Sequence, residues 1–333
     1  MSKTSIRWGW FIGIAICGSS IWSTNCAFAQ IIPDGTLPNN SSVKLEGNNS
    51  IIDGGTQAGG NLFHSFREFS VPPNGAALFN NAPNIQNIIS RVTGGSVSKI
   101  DGIIGANGTA NLFLINPNGI IFGRGARLDI GGSFVGTTAN AIAFGNQGFF
   151  SATNPESSSS LLTVNPSALL FNQIKTTSIE NNSVNLGVPN GNSLLLVGGD
   201  IKMDGGRLFA YGGRVELGGL AGAGTVGLNG DGNNLSLSFP NNVERSNVFL
   251  SNGARVRVTA GDGGSIAVNA RNLEMTGKSR LLAGINSGLG SDNSKAGNIE
   301  VNATGAISLD NGSQIANQVQ PKANGQGGDV NIN

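Results

Sequence analysis

The chain has 333 residues, 52 of them glycine, and only 12% are charged and 6% aromatic. Glycine at about twice its usual share excludes long helices, since each helical glycine costs about 1 kcal/mol relative to alanine; 38% apolar content is too high for a disordered linker. Twenty basic against 19 acidic residues leave no excess positive charge for nucleic acid or anionic lipid.

Taken in chain order, Lys3 and Arg7 precede an apolar stretch from Trp8 to Cys17, and Ala27-Phe28-Ala29 stands before Gln30. This is the pattern of a secretory signal peptide, residues 1–29, cleaved between Ala29 and Gln30. The apolar run is too short to span a bilayer comfortably. Cys17 and Cys26 both fall in the removed segment, so the mature chain has no cysteine and must be held by repetitive packing and backbone hydrogen bonds.

From Gln30 to about Gly60, short apolar groups (Ile31-Ile32, Val43-Lys44-Leu45, Ile51-Ile52) alternate with Asp-Gly, Pro-Asn-Asn and Gly-Asn-Asn turns. Strands of three to five residues with a turn every eight to twelve predict a sandwich, barrel or solenoid. Phe63, Phe66 and Phe69 recur every three residues, but their Ser and Val neighbours and Pro72-Pro73 predict a strand or cap with the rings buried. The tail decides among all-β folds, because it repeats. Gly263-Gly264-Ser265-Ile266-Ala267-Val268-Asn269, Ala296-Gly297-Asn298-Ile299-Glu300-Val301-Asn302 and Gly327-Gly328-Asp329-Val330-Asn331-Ile332-Asn333 place their second glycines 33 and 31 residues apart. Gly198-Gly199-Asp200-Ile201-Lys202-Met203 reads as a further copy two periods earlier. Apolar alternation of period two, which no single unit can bury, predicts an all-β coiled solenoid of stacked short strands. The unit opened at Gly328 is not completed by Asn333, which is read as a fragment of a longer protein.

Catalytic chemistry finds no support in the pattern. Asp53, Glu68, Asp101, Asp129, Glu180, Asp200, Asp204 and Glu216 are scattered, and Asp204 stands before Gly205-Gly206 as a turn residue would. His64, the single histidine, lies among phenylalanines and cannot by itself form a metal site. The run Gly218-Gly219-Leu220-Ala221-Gly222-Ala223-Gly224 lacks the helix and Lys-Ser/Thr of a phosphate loop. No enzyme activity, metal or cofactor is expected.

The most specific segment runs from Asn84 to Asn140. It holds Arg91-Val92-Thr93-Gly94-Gly95, Asn111-Leu112-Phe113-Leu114-Ile115, Asn116-Pro117-Asn118-Gly119-Ile120 and Gly131-Gly132-Ser133-Phe134-Val135. These residues resemble the secretion domain of filamentous-haemagglutinin-type exoproteins, the passengers of two-partner secretion, in the form found in cyanobacteria. The family's Asn-Pro-Asn-Gly-Ile run is intact at Asn116, Pro117, Asn118, Gly119 and Ile120, while its Asn-Pro-Asn-Leu run is only approximated by Pro83, Asn84 and Ile85 after Ala82. On its own chemistry Asn116–Gly119 is a tight turn, with Pro at the second position and Gly where positive φ is needed. The resemblance implies a single-stranded right-handed parallel β-helix with an N-terminal cap, its secretion domain at 30–242 followed by β-helix repeats at 243–333. It also implies recognition by an outer-membrane β-barrel transporter and export through the periplasm to the cell surface. There the chain would act as an adhesin with a host-cell or glycan ligand, or as a stalk for a C-terminal effector, with β-helix polysaccharide-processing enzymes as the rival class.

Overall fold

The computed structural model describes residues 30–155, 162–172, 177–232 and 234–333; residues 1–29, and with them the signal peptide and Ala29, lie outside the described residues, while Gln30 is exposed. Every regular element among the described residues is a strand. From Asn61 onward the chain winds through three faces in a fixed order. Asn87–Val92 on the first face leads to Ser98–Ile100 on the second and Ile103–Ala106 on the third. Asn111–Ile115, Ile120–Phe122 and Arg127–Asp129 then repeat that order on the next coil. Successive coils pair in parallel, Ile88 beside Leu112 and Leu112 beside Phe134. The expected parallel β-helix is therefore the fold of the chain.

Inside the coil, alternate residues of each strand form one continuous core. Leu62, Ile88, Leu112, Phe134, Leu194, Val215, Ile266 and Ile299 all contribute to it from the first face. A start cap closes the first coil. Ile31–Pro33 runs antiparallel on Asn61–Phe69, and Ser41–Glu46 pairs antiparallel with Asn49–Gly54. Such a cap covers backbone groups that would otherwise form an open sheet edge. The three-residue spacing of the phenylalanines has a local cause. Pairing with the cap jumps from Glu68 to Phe66 and leaves Arg67 as an exposed bulge, so Phe66 and Phe69 both point into the coil.

The tail repeats align as the sequence predicts: Ile266, Ile299 and Val330 stand in register, as do Val268, Val301 and Ile332. The proposed earlier copy does not belong to this row. Ile201–Asp204 lies on the second face, where Ile201 pairs with Val248 and Val248 with Leu273. The true forerunner of Ile266 is Val215, in Gly212-Gly213-Arg214-Val215-Glu216-Leu217. Its spacing is irregular because the chain leaves the coil in between.

Two such excursions build an element that the repeat pattern does not announce. Ala141–Ala143, Phe149–Ser151 and Ala168–Phe171 come from the first, and Gly224–Asp231 and Asn234–Ser238 from the second. They form one antiparallel five-stranded sheet outside the coil. Between it and the first face lies a second apolar core containing Phe63, Ile89, Phe113, Val135 and Leu195 from the coil and Ile142, Phe150, Leu169 and Val226 from the outer sheet. Each side chain of this size, fully buried, contributes about 1.5–3 kcal/mol before entropy is counted. The glycine run at 218–224 is the hinge of the second excursion. A Cβ on Gly218 would collide with the Phe239 ring, so the run is explained by close packing.

Candidate functional site

The Asn116–Ile120 motif sits where the chain turns from the first face to the second. Its backbone closes a tight turn, the Gly119 N–H donating to Asn116 O at 3.0 Å, with Gly119 at φ +115°. The Asn116 side-chain oxygen accepts from the Asn118 N–H at 2.9 Å, the local bond expected of an asparagine in this place. The remaining contacts reach along the helix axis. Asn116 Nδ2 donates to Ser96 O and to Ser98 Oγ, both at 2.9 Å, and Asn118 Nδ2 donates to Gly94 O at 2.6 Å. From the following coil, Thr177 Oγ1 donates to Pro117 O at 2.6 Å. The turn thus staples three coils together. Asn116, Pro117, Gly119 and Ile120 are buried, and Asn118 is half-buried.

The weaker first motif forms the same kind of turn at the opposite edge of the first face. The Ile85 N–H donates to Ala82 O at 3.1 Å, which places Pro83 at the second position. Pro83 and Asn84 are exposed and Ile85 is buried. The structure does not bring the two motifs together: one follows a first-face strand and the other precedes one, with the width of the face between them.

The Arg91-Val92-Thr93 run has a separate task. Arg91 is fully buried and points outward from the first face toward the outer sheet. Its Nε donates to Ser65 Oγ, Nη1 to Ser151 O and Nη2 to Thr36 Oγ1, each at 2.8 Å, and its guanidinium lies 4.0 Å from the centre of the Phe150 ring. Ser65 and Thr36 in turn donate to the Asp34 carboxylate at 2.7 and 2.8 Å, and Thr93 Oγ1 donates to it at 2.6 Å. Burial lowers the Arg91 pKa to about 10, with the Asp34 charge opposing the shift. Burial also pushes the Asp34 carboxyl up, but the hydrogen bonds from Thr93, Ser65 and Thr36 outweigh it and hold the group below its ordinary value. One arginine therefore ties the start cap, two coils and the outer sheet into a single polar cluster.

His64, Asp200 and Asp204, also weighed for chemistry, make contacts within the coil. His64 is 1% exposed, shares a hydrogen bond of 3.0 Å between Nδ1 and Ser41 Oγ, and lies against Phe66 and Phe79. Burial lowers its pKa to about 4. Asp200 accepts the Asn247 N–H at 3.0 Å, and Asp204 accepts Asn252 Nδ2 and Ser251 Oγ at the turn of the next coil. Among the described residues no group of three or more His, Cys, Asp or Glu side chains is placed to hold a metal.

Sequence reasoning missed a ladder of side-chain amides. Asn87 Nδ2 donates to Asn61 Oδ1 at 2.9 Å, Asn111 Nδ2 to Asn87 Oδ1 at 3.1 Å, and Asn111 Oδ1 accepts the Ser133 N–H at 2.8 Å. Their second donors reach Leu162 O, Val164 O, Asn165 Oδ1 and Gly232 O, beside the outer sheet. The signal was present as Asn61-Leu62-Phe63, Asn87-Ile88-Ile89 and Asn111-Leu112-Phe113, an asparagine at the head of three successive first-face strands.

Comparison with known proteins agrees with this architecture. Residues 29–268 match the family model of the TPS (two-partner secretion) secretion domain. The heme/hemopexin-binding protein of Haemophilus influenzae is 32% identical over 120 residues, which is 33% of this chain and 12% of that relative's length. The HMW1 secretion domain of Haemophilus influenzae superposes with a TM-score of 0.57 at 20% identity, covering 88% of this chain and 74% of that one. A filamentous hemagglutinin secretion domain aligns at 0.45 and 14% identity, covering 91% and 99% respectively. The chain belongs to the two-partner secretion domain family.

Proposed function

We propose that this chain is delivered by a signal peptide at 1–29 to the periplasm, crosses the outer membrane through its β-barrel partner, and works at the cell surface as an adhesin. The burial of the Asn116–Ile120 turn carries the account of the export step. In the folded protein only Asn118 is partly open to solvent. A transporter that reads the motif must meet it before the coil closes, on the unfolded chain. Once outside, the same residues change role and staple the coils on either side. Each docked coil buries further apolar area, so folding itself can draw the chain outward.

In this reading the secretion domain occupies 30–242. Its distinguishing feature is the outer sheet, whose last strand ends at Ser238, and the plain coils from 243 onward extend the stalk. The adhesive role is assigned to those coils, where Glu274 and Ser308 stand exposed on the second face and Gln314 on the third.

The test is accumulation of the chain in the medium with and without a co-expressed partner barrel, for the native sequence, Asn116→Ala and Asn118→Ala. Native chain should reach the medium only with the partner, and Asn116→Ala should be retained. Retention whatever barrel is supplied would overturn the reading of the route. Adhesion is tested separately, by binding of the purified secreted chain to cells.

A further inference from the structure

On the third face of the later coils three arginines stand directly above one another. Arg207 pairs with Arg255, and Arg255 with Arg280. Neighbouring strands are about 4.8 Å apart, so the row repeats a positive charge at that interval. Each arginine is followed by an inward apolar residue, Leu208, Val256 or Leu281, which turns the arginine side chains to the outside of the coil. Two residues further along the same strands, Phe209, Arg257 and Leu282 form a second outward row. Tyr211 extends it, stacked at 5.8 Å from Phe209 and lying 5.8 Å beneath the Arg257 guanidinium.

Among the described residues no ion pair neutralises the first row: neither of the two involves Arg207, Arg255 or Arg280. The Nε atoms of Arg255 and Arg280 are buried without a hydrogen-bond partner, whereas Arg257 donates to Thr259 Oγ1 and Asn286 Oδ1. The Arg255 guanidinium is held below its ordinary pKa, first by burial and then by repulsion from Arg207, Arg280 and Arg257. Like charges at directly opposed positions destabilise a sheet, and folding alone gives no reason to stack three. The next position in the register is Gln314, where the charge row ends.

We propose that this face binds a linear acidic polysaccharide laid across the coils, one acidic group to each arginine and a sugar face against Phe209 and Tyr211. A guanidinium offers paired donors that match a carboxylate or sulfate. The interval between rungs is close to the advance of one sugar in an extended chain. Nucleic acid fits less well, because the protein as a whole is close to neutral. The assignment deepens the adhesin reading and rests on it for its setting, while the site itself is tested without cells.

The experiment measures binding of the full secreted chain to immobilised polygalacturonate and dextran sulfate, with neutral dextran and single-stranded DNA alongside. Native protein should bind at least one of the two acidic polymers, more weakly as salt is raised, and neither control. Replacing all three residues (Arg207→Gln, Arg255→Gln, Arg280→Gln) should weaken binding about tenfold or more, with the melting temperature held or raised because a repulsion has been removed. Lysine at the same three positions should recover a large part of the binding. Lys99→Gln with Arg124→Gln and Arg127→Gln, which removes three exposed charges elsewhere, should leave it unchanged. Failure to bind either acidic polymer, equal binding by the glutamine variant, or comparable binding of single-stranded DNA would overturn the proposal. A chain that binds polygalacturonate through this row but does not attach to cells keeps the site and overturns the adhesin reading. Attachment to cells that survives the glutamine variant keeps the adhesin reading and removes this site from it.

Discussion

One row of residues crosses the whole molecule and changes character on the way. Phe63, Ile89, Phe113, Val135, Leu195, Glu216, Ala267, Glu300 and Asn331 stand in direct register on the outward side of the first face. The first five are fully buried beneath the outer sheet, while Glu300 and Asn331 are exposed. In the early coils the first-face strands are therefore apolar on both sides, as Leu194-Leu195-Leu196-Val197 shows. In the late coils they alternate, as in Ile299-Glu300-Val301-Asn302. The β-helix needs only its inner column to stack. The second core is an addition, and it makes the early coils a thicker body than the late ones.

The sharpest way to break this comparison is to truncate the row at both ends. Phe113→Ala removes a ring from the second core and should cost about 3–5 kcal/mol, read as a lowered urea midpoint. Glu300→Ala, five rungs along the same row, should change stability by less than about 0.5 kcal/mol. Equal effects would mean that the outer sheet does not shield the early coils.

Acid should separate the two regions next. His64, buried inside the first coil, has a folded pKa of about 4 against 6.5 when unfolded. A depressed folded value means that its contribution is fully present above pH 6.5. That contribution is lost as pH falls toward 4, because the unfolded chain takes up a proton that the core refuses. The full window is worth roughly 3 kcal/mol. His64→Gln should flatten the fall in stability between pH 6.5 and 4 whatever it costs at neutral pH, and an unchanged slope in that variant would refute the assignment. The late coils contain no histidine and should hold their amide protection better across this range.

Much of this division was legible in the residues. Period-two alternation and the repeated Gly-Gly corners of the tail identify the coil, and the Asn116–Gly119 chemistry identifies its turn. The outer sheet was not legible, because its strands are antiparallel insertions that follow no repeat. The second of these insertions also stretches the interval between Val215 and Ile266, which hid the true forerunner of the tail units and drew the comparison to Ile201 instead. Arg91 could be singled out only as part of a motif. Its partners Thr36, Ser65 and Ser151 come from three distant segments that only the fold assembles.

A smaller effect than that of Phe113 or His64 lies at the border itself. Glu216 is the rung where the apolar row ends. It is 1% exposed, pairs with Arg214 at 2.9 Å, and accepts the Leu237 N–H at 3.1 Å from the last strand of the outer sheet. Burial raises its pKa, and neither Arg214 nor the Leu237 bond fully offsets this. A raised folded value works in the opposite sense to His64: the contribution is present below the unfolded pKa and is lost as pH rises through the folded one. Glu216→Gln keeps an acceptor for the Leu237 N–H while removing the desolvated charge. It should raise stability at neutral pH by less than about 1 kcal/mol and leave it unchanged or lower in acid. A clear loss at neutral pH would show instead that the Arg214 pair holds the edge of the outer sheet, and that the border is fastened by charge rather than by the backbone bond.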